Sequence, residues 1–352
     1  MINKAEAEIT ASWSGDWDKP MVSVRCLCYN HEAYIAQCLD GFLAQETTFP
    51  FEIIVHDDCS TDRSAAIIRE YEERFPHIVK PIYETENQYS KKDGSLSQIL
   101  NNACKGKYIA FCEGDDYWIN PKKIQLQFES LERNPDCNIS FTKVQFILRN
   151  GEIRNYTAPS KKKFKKEIVT IEDYVNEEYK APGHWCFHTS SFFLRKSIYQ
   201  EYLRQRFEGG FCKFPYGDMA VITYFLTHGN GTYIPEISSC YRLDSGGYNT
   251  YTSTHHEFAK EQDRKLIDAL EFFDEYTEYK YTSQIRDRIY RVKVSISRHY
   301  EDKRRLVNLK QDRLMYYRNR GKILTLIKGF ISSRFPFTLK VNKYIRQRLI
   351  HR

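Results

Sequence analysis

The chain contains no run of about 18 uninterrupted apolar residues, the length that a membrane-spanning helix requires. Its first stretch, Met1 to Pro20, is polar and acidic and lacks the apolar segment of a secretory leader. Ten cysteines are scattered at positions 26, 28, 38, 59, 104, 112, 137, 186, 212 and 240 with no CxxC pair, which disfavours a zinc or disulfide framework and predicts reduced, mostly buried thiols. Cys26 and Cys28 lie on one strand face, a core pattern. Gly plus Pro amounts to 27 of 352 residues, too few for a low-complexity chain. Acidic residues nearly vanish at the C-terminal end, where residues 303–352 hold 15 Lys or Arg against Asp312 alone. The other 302 residues carry 38 basic and 45 acidic side chains, so the overall net charge of +7 is a property of the tail. The charge distribution therefore disfavours a uniformly basic nucleic-acid binder, while local attraction to an anionic surface stays open. A reducing cytosol is the expected location.

The sequence does have apolar residues at 41% and aromatics at 15%, enough for a substantial core. Short apolar runs alternate with helical periodicity, the mark of an α/β sheet flanked by helices. Val22 to Cys28, Phe51 to His56 and Tyr108 to Cys112 read as buried strands. Ile35, Cys38, Leu39, Phe42 and Leu43 share one helix face, as do Leu96, Ile99, Leu100 and Ala103. Asn120-Pro121 predicts a helix start, Asn150-Gly151 a hairpin, Ser191 to Leu194 a strand, and Asp218 the opening of a helix that ends at Gly229-Asn230-Gly231. The lysines of 161–166 read as a solvated loop or a binding patch. Three regions are expected: an arm over 1–20, an α/β domain over 21–245 divided near 135, and a helical, basic extension over 246–352.

Two predicted strands end in acids, Asp57-Asp58 and Glu113-Gly114-Asp115-Asp116. Ligands of open α/β sheets bind at the carboxyl ends of strands, so these carboxylates are expected to meet at one edge. Their mutual repulsion is relieved by hydrogen-bond donors or by a cation. Hard oxygen ligands suit Mg²⁺ or Mn²⁺ carrying a substrate's phosphates.

Val24 to His31, Ile53 to Asp62 and Lys107 to Asp116 resemble, in order and placement, the opening strand with its "YN" turn, the "VDDGSTD" segment and the "YIAFLDADD" segment of family 2 glycosyltransferases. The resemblance spans about residues 21–245. It implies a GT-A fold, Rossmann-like with a mostly parallel sheet, a nucleotide-sugar donor (UDP- or dTDP-linked) and inverting transfer to a hydroxyl of a glycan or lipid-linked acceptor. By position it places Asp57 or Asp58 at the nucleobase, Tyr29 and Asn30 in the same pocket, Glu113 near the ribose in place of the usual Asp, and Asp115 on the metal. Asp116 is a second metal contact or a helix-start acid, and Asp62 most simply a cap. Gly217-Asp218-Met219-Ala220 resembles the family's "ED" motif, with Asp218 as general base or as a helix cap. Tyr241-Arg242-Leu243-Asp244 resembles its "YRxH" stretch. There Asp244 replaces the His as a metal ligand unless His255 or His256 substitutes, and Arg242 holds the diphosphate or makes a structural bridge.

His184, Trp185 and His188 fall in the half expected to face the acceptor, with core packing as the alternative. Ile323, Leu324, Ile327, Phe330 and Ile331 follow helical spacing among cations. Such a segment lies on an anionic membrane or packs on the catalytic domain or another subunit. The expected setting is capsule or O-antigen synthesis at the inner face of a bacterial membrane. A nucleotidyltransferase would want a Gly-rich phosphate loop after the first strand, which Tyr29-Asn30-His31-Glu32-Ala33 is not; a catalytically silent sugar-nucleotide binder is the other rival.

Overall fold

The buried apolar runs pair side by side because each leaves a full ladder of backbone donors and acceptors to satisfy. In the computed structural model, which describes residues 2–160, 164, 166–178, 186–246, 251–252 and 254–300, they form one ten-stranded sheet. The strands are β1 (Val22–Cys28), β2 (Phe51–Asp57), β3 (Val79–Tyr83), β4 (Tyr108–Glu113), β5 (Tyr117–Trp118), β6 (Cys137–Ile147), β7 (Ile153–Ala158), β8 (Ile168–Val169), β9 (Phe193–Arg195) and β10 (Asn230–Arg242). Their order is β3-β2-β1-β4-β9-β6-β10-β5, with β7 added beside β6 and β8 beside β10. The β1, β2, β3 and β4 group is parallel, as is the β6 and β10 pair.

β9 sits between the two groups and runs antiparallel to both β4 and β6. Two reversals restore direction, so the carboxyl ends of β1, β2, β4, β6 and β10 share one edge of the sheet. The strand expected at Ser191 to Leu194 begins later, at Phe193, because Ser191 turns back. Its N–H and hydroxyl donate to the His188 carbonyl at 2.9 and 2.7 Å.

Helices cover both faces: α1 (Glu6–Thr10), α2 (Ile35–Leu43), α3 (Ser64–Arg74), α4 (Ser95–Ala103), α5 (Lys123–Arg133), α6 (Ile171–Glu178), α7 (Lys196–Glu208) and α8 (Gly217–Thr227). Val24, Cys26, Ile53, Val55, Ala110 and Cys112 form one core with Ile35, Leu39 and Phe42 of α2 and Ile68 and Tyr71 of α3. All ten cysteines are free, and eight are buried. α8 carries buried side chains on every side from Met219 to Leu226, so it is anchored in the interior and its first turn is held still.

The chain divides into two compact units, Met1–Thr254 and His255–Arg352. In the second, α9 (His256–Tyr276) and α10 (Thr282–Tyr300) pack on each other, with Leu266, Leu270 and Phe273 buried on the first helix and Ile285 on the second. Thr282 Oγ1 donates to Asp274 Oδ1 at 2.8 Å across their connection. Among the described residues no helix is long and apolar enough to cross a membrane. The tail over 303–352, His184, Trp185 and the lysines at 161–163 and 165 lie outside the described residues.

Candidate active site

The loops that leave β1 and β2 are stapled together by side chains. Asn30, at φ +55°, donates its N–H to Ser60 Oγ at 2.9 Å and accepts the Thr61 N–H on Oδ1 at 2.8 Å. His31 N–H reaches Ser64 Oγ at 2.8 Å, and Glu32 N–H reaches Asp62 Oδ2 at 3.0 Å. Asp62 Oδ1 also accepts the Ser64 N–H at 2.9 Å, a capping contact at the start of α3. Burial opposes its ionisation, but hydrogen bonds from Ser64 and Glu32 hold its carboxyl below the usual range. Tyr29 stands exposed at the tip of this loop.

Asp57 and Asp58 are both buried but are used differently. Asp58 accepts the Gln88 N–H on Oδ1 at 2.7 Å and the Tyr89 N–H on Oδ2 at 3.0 Å, which draws the segment after β3 onto the end of β2. Asp57 accepts the Ser60 N–H on Oδ2 at 3.2 Å, while its Oδ1 is buried with no hydrogen-bond partner. Of the two, Asp57 keeps an oxygen uncommitted.

After β4 the chain makes a tight turn in which Gly114 N–H donates to the Leu27 carbonyl at 2.7 Å. A Cβ here would lie 2.8 Å from His31 Nδ1 and 2.9 Å from the Leu27 oxygen, so glycine alone fits. The turn aims three carboxylates. Burial lifts Glu113 to about 7, helped by the charges of Asp115 and Asp218 and opposed by Arg25. Asp115 is part-exposed, and its Oδ2 accepts the Ser245 hydroxyl at 2.6 Å. Asp116 is buried and accepts the Arg242 N–H at 2.9 Å; burial and the neighbouring Asp115 charge push its carboxyl well up.

Arg242 is spent inside the protein. Its Nε donates to the Asp115 carbonyl at 3.0 Å, its Nη2 to Gln37 Oε1 at 2.9 Å, and its guanidinium lies 4.6 Å over the Tyr34 ring. The expected choice between a diphosphate fork and a structural bridge meets a guanidinium that ties β10 to the acidic turn and to α2. Asp244 is exposed at φ +58° on the following turn. His255 and His256 belong to the second unit.

Asp218 lies in the first turn of α8, its Oδ1 accepting the Met219 N–H at 2.7 Å. Burial lifts its carboxyl to about 6, and the charge of Glu178 adds to the rise. Glu178 is itself buried, accepting the Cys186 N–H at 2.7 Å. Burial, then the charges of Asp116, Asp115, Asp218 and Glu113, push the phenol of Tyr241 well above its ordinary value. His188 packs 4.5 Å from the Tyr241 ring and is buried, which lowers its imidazole to about 4, a neutral side chain at physiological pH.

Among the described residues no group of three or more His, Cys, Asp or Glu side chains is arranged to hold a metal ion by itself. A divalent ion that takes one or two protein carboxylates and completes its shell with phosphates and water needs no such group. Asp115 fits that role. It is part-exposed, its oxygens are hard, and Ser245 occupies only one of them.

A mostly parallel sheet flanked by helices, with acidic turns after β2 and β4 at one carboxyl edge, defines a GT-A-type α/β protein. The model for the family described as "Glycosyl transferase family 2" matches residues 23–203, and the chain belongs to that family. It is 32% identical over 190 residues to the uncharacterized glycosyltransferase MJ1057 of Methanocaldococcus jannaschii, covering 54% of this chain and 62% of that one. It is 34% identical over 134 residues to the putative teichuronic acid biosynthesis glycosyltransferase TuaG of Bacillus subtilis, covering 38% of this chain and 50% of that one. An uncharacterized protein of Mycobacterium tuberculosis, Rv1520, is 41% identical over 130 residues, 37% of each chain. The chain thus spans less than two thirds of the length of each of these curated relatives. Its fold matches that of S. aureus TarS, solved in complex with UDP-GlcNAc, with a TM-score of 0.51 at 16% identity over 89% of this chain and 91% of that one.

Sequence reasoning missed His31, Glu178 and Ser245. His31 is lowered by burial against the charges of Asp115, Asp62 and Asp57, and its Nδ1 is buried without a partner. Its adjacency to the "YN" turn was the one available signal. Glu178 and Ser245 had none, because nothing local distinguishes them from surface residues.

Proposed function

We propose that this family 2 glycosyltransferase is a metal-dependent, inverting enzyme that moves a sugar from a nucleoside diphosphate to a hydroxyl of a glycan or lipid-linked acceptor. The observation that supports this reading is the gathering of the acidic turns after β2 and β4 at one carboxyl edge of the sheet, where the end of β10 meets the second of them through Arg242 and Ser245. Asp57 receives the imide N–H of a uracil or thymine on its uncommitted Oδ1, which favours UDP- or dTDP-sugars. Asp58, bonded to Gln88 and Tyr89, shapes the pocket wall beside it. Glu113 binds the ribose.

Asp218 is the general base. Lifted to about 6, it is mostly ionised at neutral pH yet basic enough to accept the acceptor's proton as the new bond forms. The acceptor oxygen attacks the anomeric carbon from the face opposite the diphosphate. The anomeric C–O bond breaks, its electron pair leaves with the diphosphate, and the proton ends on Asp218. Asp115, with Asp116 and Asp244 as further candidates, holds Mg²⁺ or Mn²⁺. When bound, the ion supplies positive charge to the departing diphosphate. Arg242 orients Asp115 through its carbonyl and leaves the phosphates to the ion.

The name of TuaG, a putative teichuronic acid biosynthesis glycosyltransferase, supports a role in polysaccharide assembly, for which capsule or O-antigen synthesis is the setting proposed, and the 15 cations of residues 303–352 support peripheral binding to an anionic membrane from the cytoplasmic side. The decisive experiment assays hydrolysis of, and transfer from, a panel of UDP- and dTDP-sugars with Mn²⁺ or with EDTA. Metal-stimulated turnover that Asp218→Asn abolishes is expected; nucleotide binding without Asp218-dependent turnover would leave a silent binder.

A further inference from the structure

The register of the sheet brings three aromatic rings into a row beside the acidic cluster. Tyr241 of β10 pairs with Phe146 of β6, their ring centroids 5.6 Å apart. Across the next ladder, where a bulge interrupts the β6 and β7 pairing, Tyr156 lies 4.8 Å from Phe146. His188 caps the inner end, with its ring 4.9 Å from Phe146 and 4.5 Å from Tyr241. Exposure rises outward along the row: Tyr241 and Phe146 are half-buried, and Tyr156 is 42% exposed. Gln145 ties down the backbone that carries the outer ring, its Nε2 donating to the Tyr156 carbonyl at 3.2 Å.

We propose that Tyr241, Phe146 and Tyr156 form a ring track that seats the sugar units of the acceptor glycan. The inference rests on the transferase reading above and deepens it by naming where the acceptor lies. Two physical features select a carbohydrate. Pyranose units present an apolar C–H face that aromatic rings cover, and the track begins at Tyr241, whose chain neighbour Arg242 donates its N–H to Asp116 at 2.9 Å, and ends in water. A chain of sugars following the rings inward thus brings its terminal hydroxyl toward the acidic turn after β4. His188, buried and neutral, braces the two inner rings, a structural part in the acceptor half of the domain.

The test uses the full chain and a panel of p-nitrophenyl glycosides (β-glucoside, β-galactoside, α-mannoside and N-acetyl-β-glucosaminide). Binding is read by saturation-transfer NMR and acceptor KM by transfer from the best donor. Tyr156→Ala is expected to weaken glycoside binding and raise acceptor KM about tenfold, while donor KM moves by less than about twofold. Tyr156→Phe, which keeps the ring, is expected to behave as wild type. Phe146→Ala, checked for folding by its melting curve, is expected to follow Tyr156→Ala.

Unchanged glycoside binding in Tyr156→Ala would overturn the proposal. So would a donor KM that rises in parallel with the acceptor KM, or the absence of binding by every glycoside. A wild-type protein that binds glycosides in a Tyr156-dependent manner but turns over no nucleotide sugar would sink the transferase reading and leave the ring track standing.

Discussion

Replacing Asp218 by Asn keeps the size of the side chain and removes its charge, so two separable effects follow. The first is on rate. With a carboxyl at about 6, roughly one tenth of the donor-free enzyme carries an ionised Asp218 at pH 5 and roughly nine tenths at pH 7. The wild-type kcat/KM is therefore expected to rise about tenfold per pH unit below 6 and to level off above it, since this parameter reports groups of the free enzyme. The Asn variant is expected to lose about 10² to 10⁴ in kcat with no such limb. The second effect is on stability. The folded chain binds this proton more tightly than the unfolded one, whose carboxyl titrates near 3.8. Asp218's contribution is thus fully present below 3.8 and is lost as pH rises through about 6. The full two-unit shift corresponds to about 3 kcal/mol, and partial solvent exposure reduces this to about 1–2 kcal/mol. Asp218→Asn should then melt a few degrees above wild type at pH 8, with the difference gone near pH 3.5, measured by calorimetry without donor or metal. A variant that keeps more than a tenth of wild-type transfer, together with a flat wild-type profile from pH 5 to 8, would show that this carboxylate is a helix-start residue and not the base.

Asp115→Ala is expected to abolish the stimulation of turnover by Mn²⁺ and to leave donor hydrolysis insensitive to EDTA; wild-type metal titration curves in this variant would move the ion elsewhere. Asp58→Asn removes a charged acceptor from the Gln88 and Tyr89 N–H groups, at a cost of about 1–3 kcal/mol. Its signature is a lower melting temperature together with a raised donor KM, and a donor KM shift without loss of stability would contradict the bonding seen. Deleting residues 303–352 is expected to reduce sedimentation with anionic liposomes, most visibly at low salt; equal sedimentation of the truncated chain would discard the membrane role.

The parallel strands β1, β2 and β4 are legible in the linear chain because a strand buried on both faces must be a continuous apolar run, and here such runs end in Asp57-Asp58 and Glu113 to Asp116. Residue type and position were enough to nominate these acids and Asp218 for the chemistry, and to exclude a low-complexity chain. Tertiary structure alone decided how each acid is spent: Asp58 on Gln88 and Tyr89, Asp116 on the Arg242 backbone, Asp115 on Ser245, with one oxygen of Asp57 left over. It also decided that β9, only three residues long, reverses the strand direction twice and so brings β6 and β10 to the same edge as β1. Periodicity reports which way a side chain faces along its own element. Which distant element that face meets is set by the pairing of whole strands, and Arg242 and Ser245, the partners of Asp116 and Asp115, lie 126 and 130 residues away, beyond any local pattern.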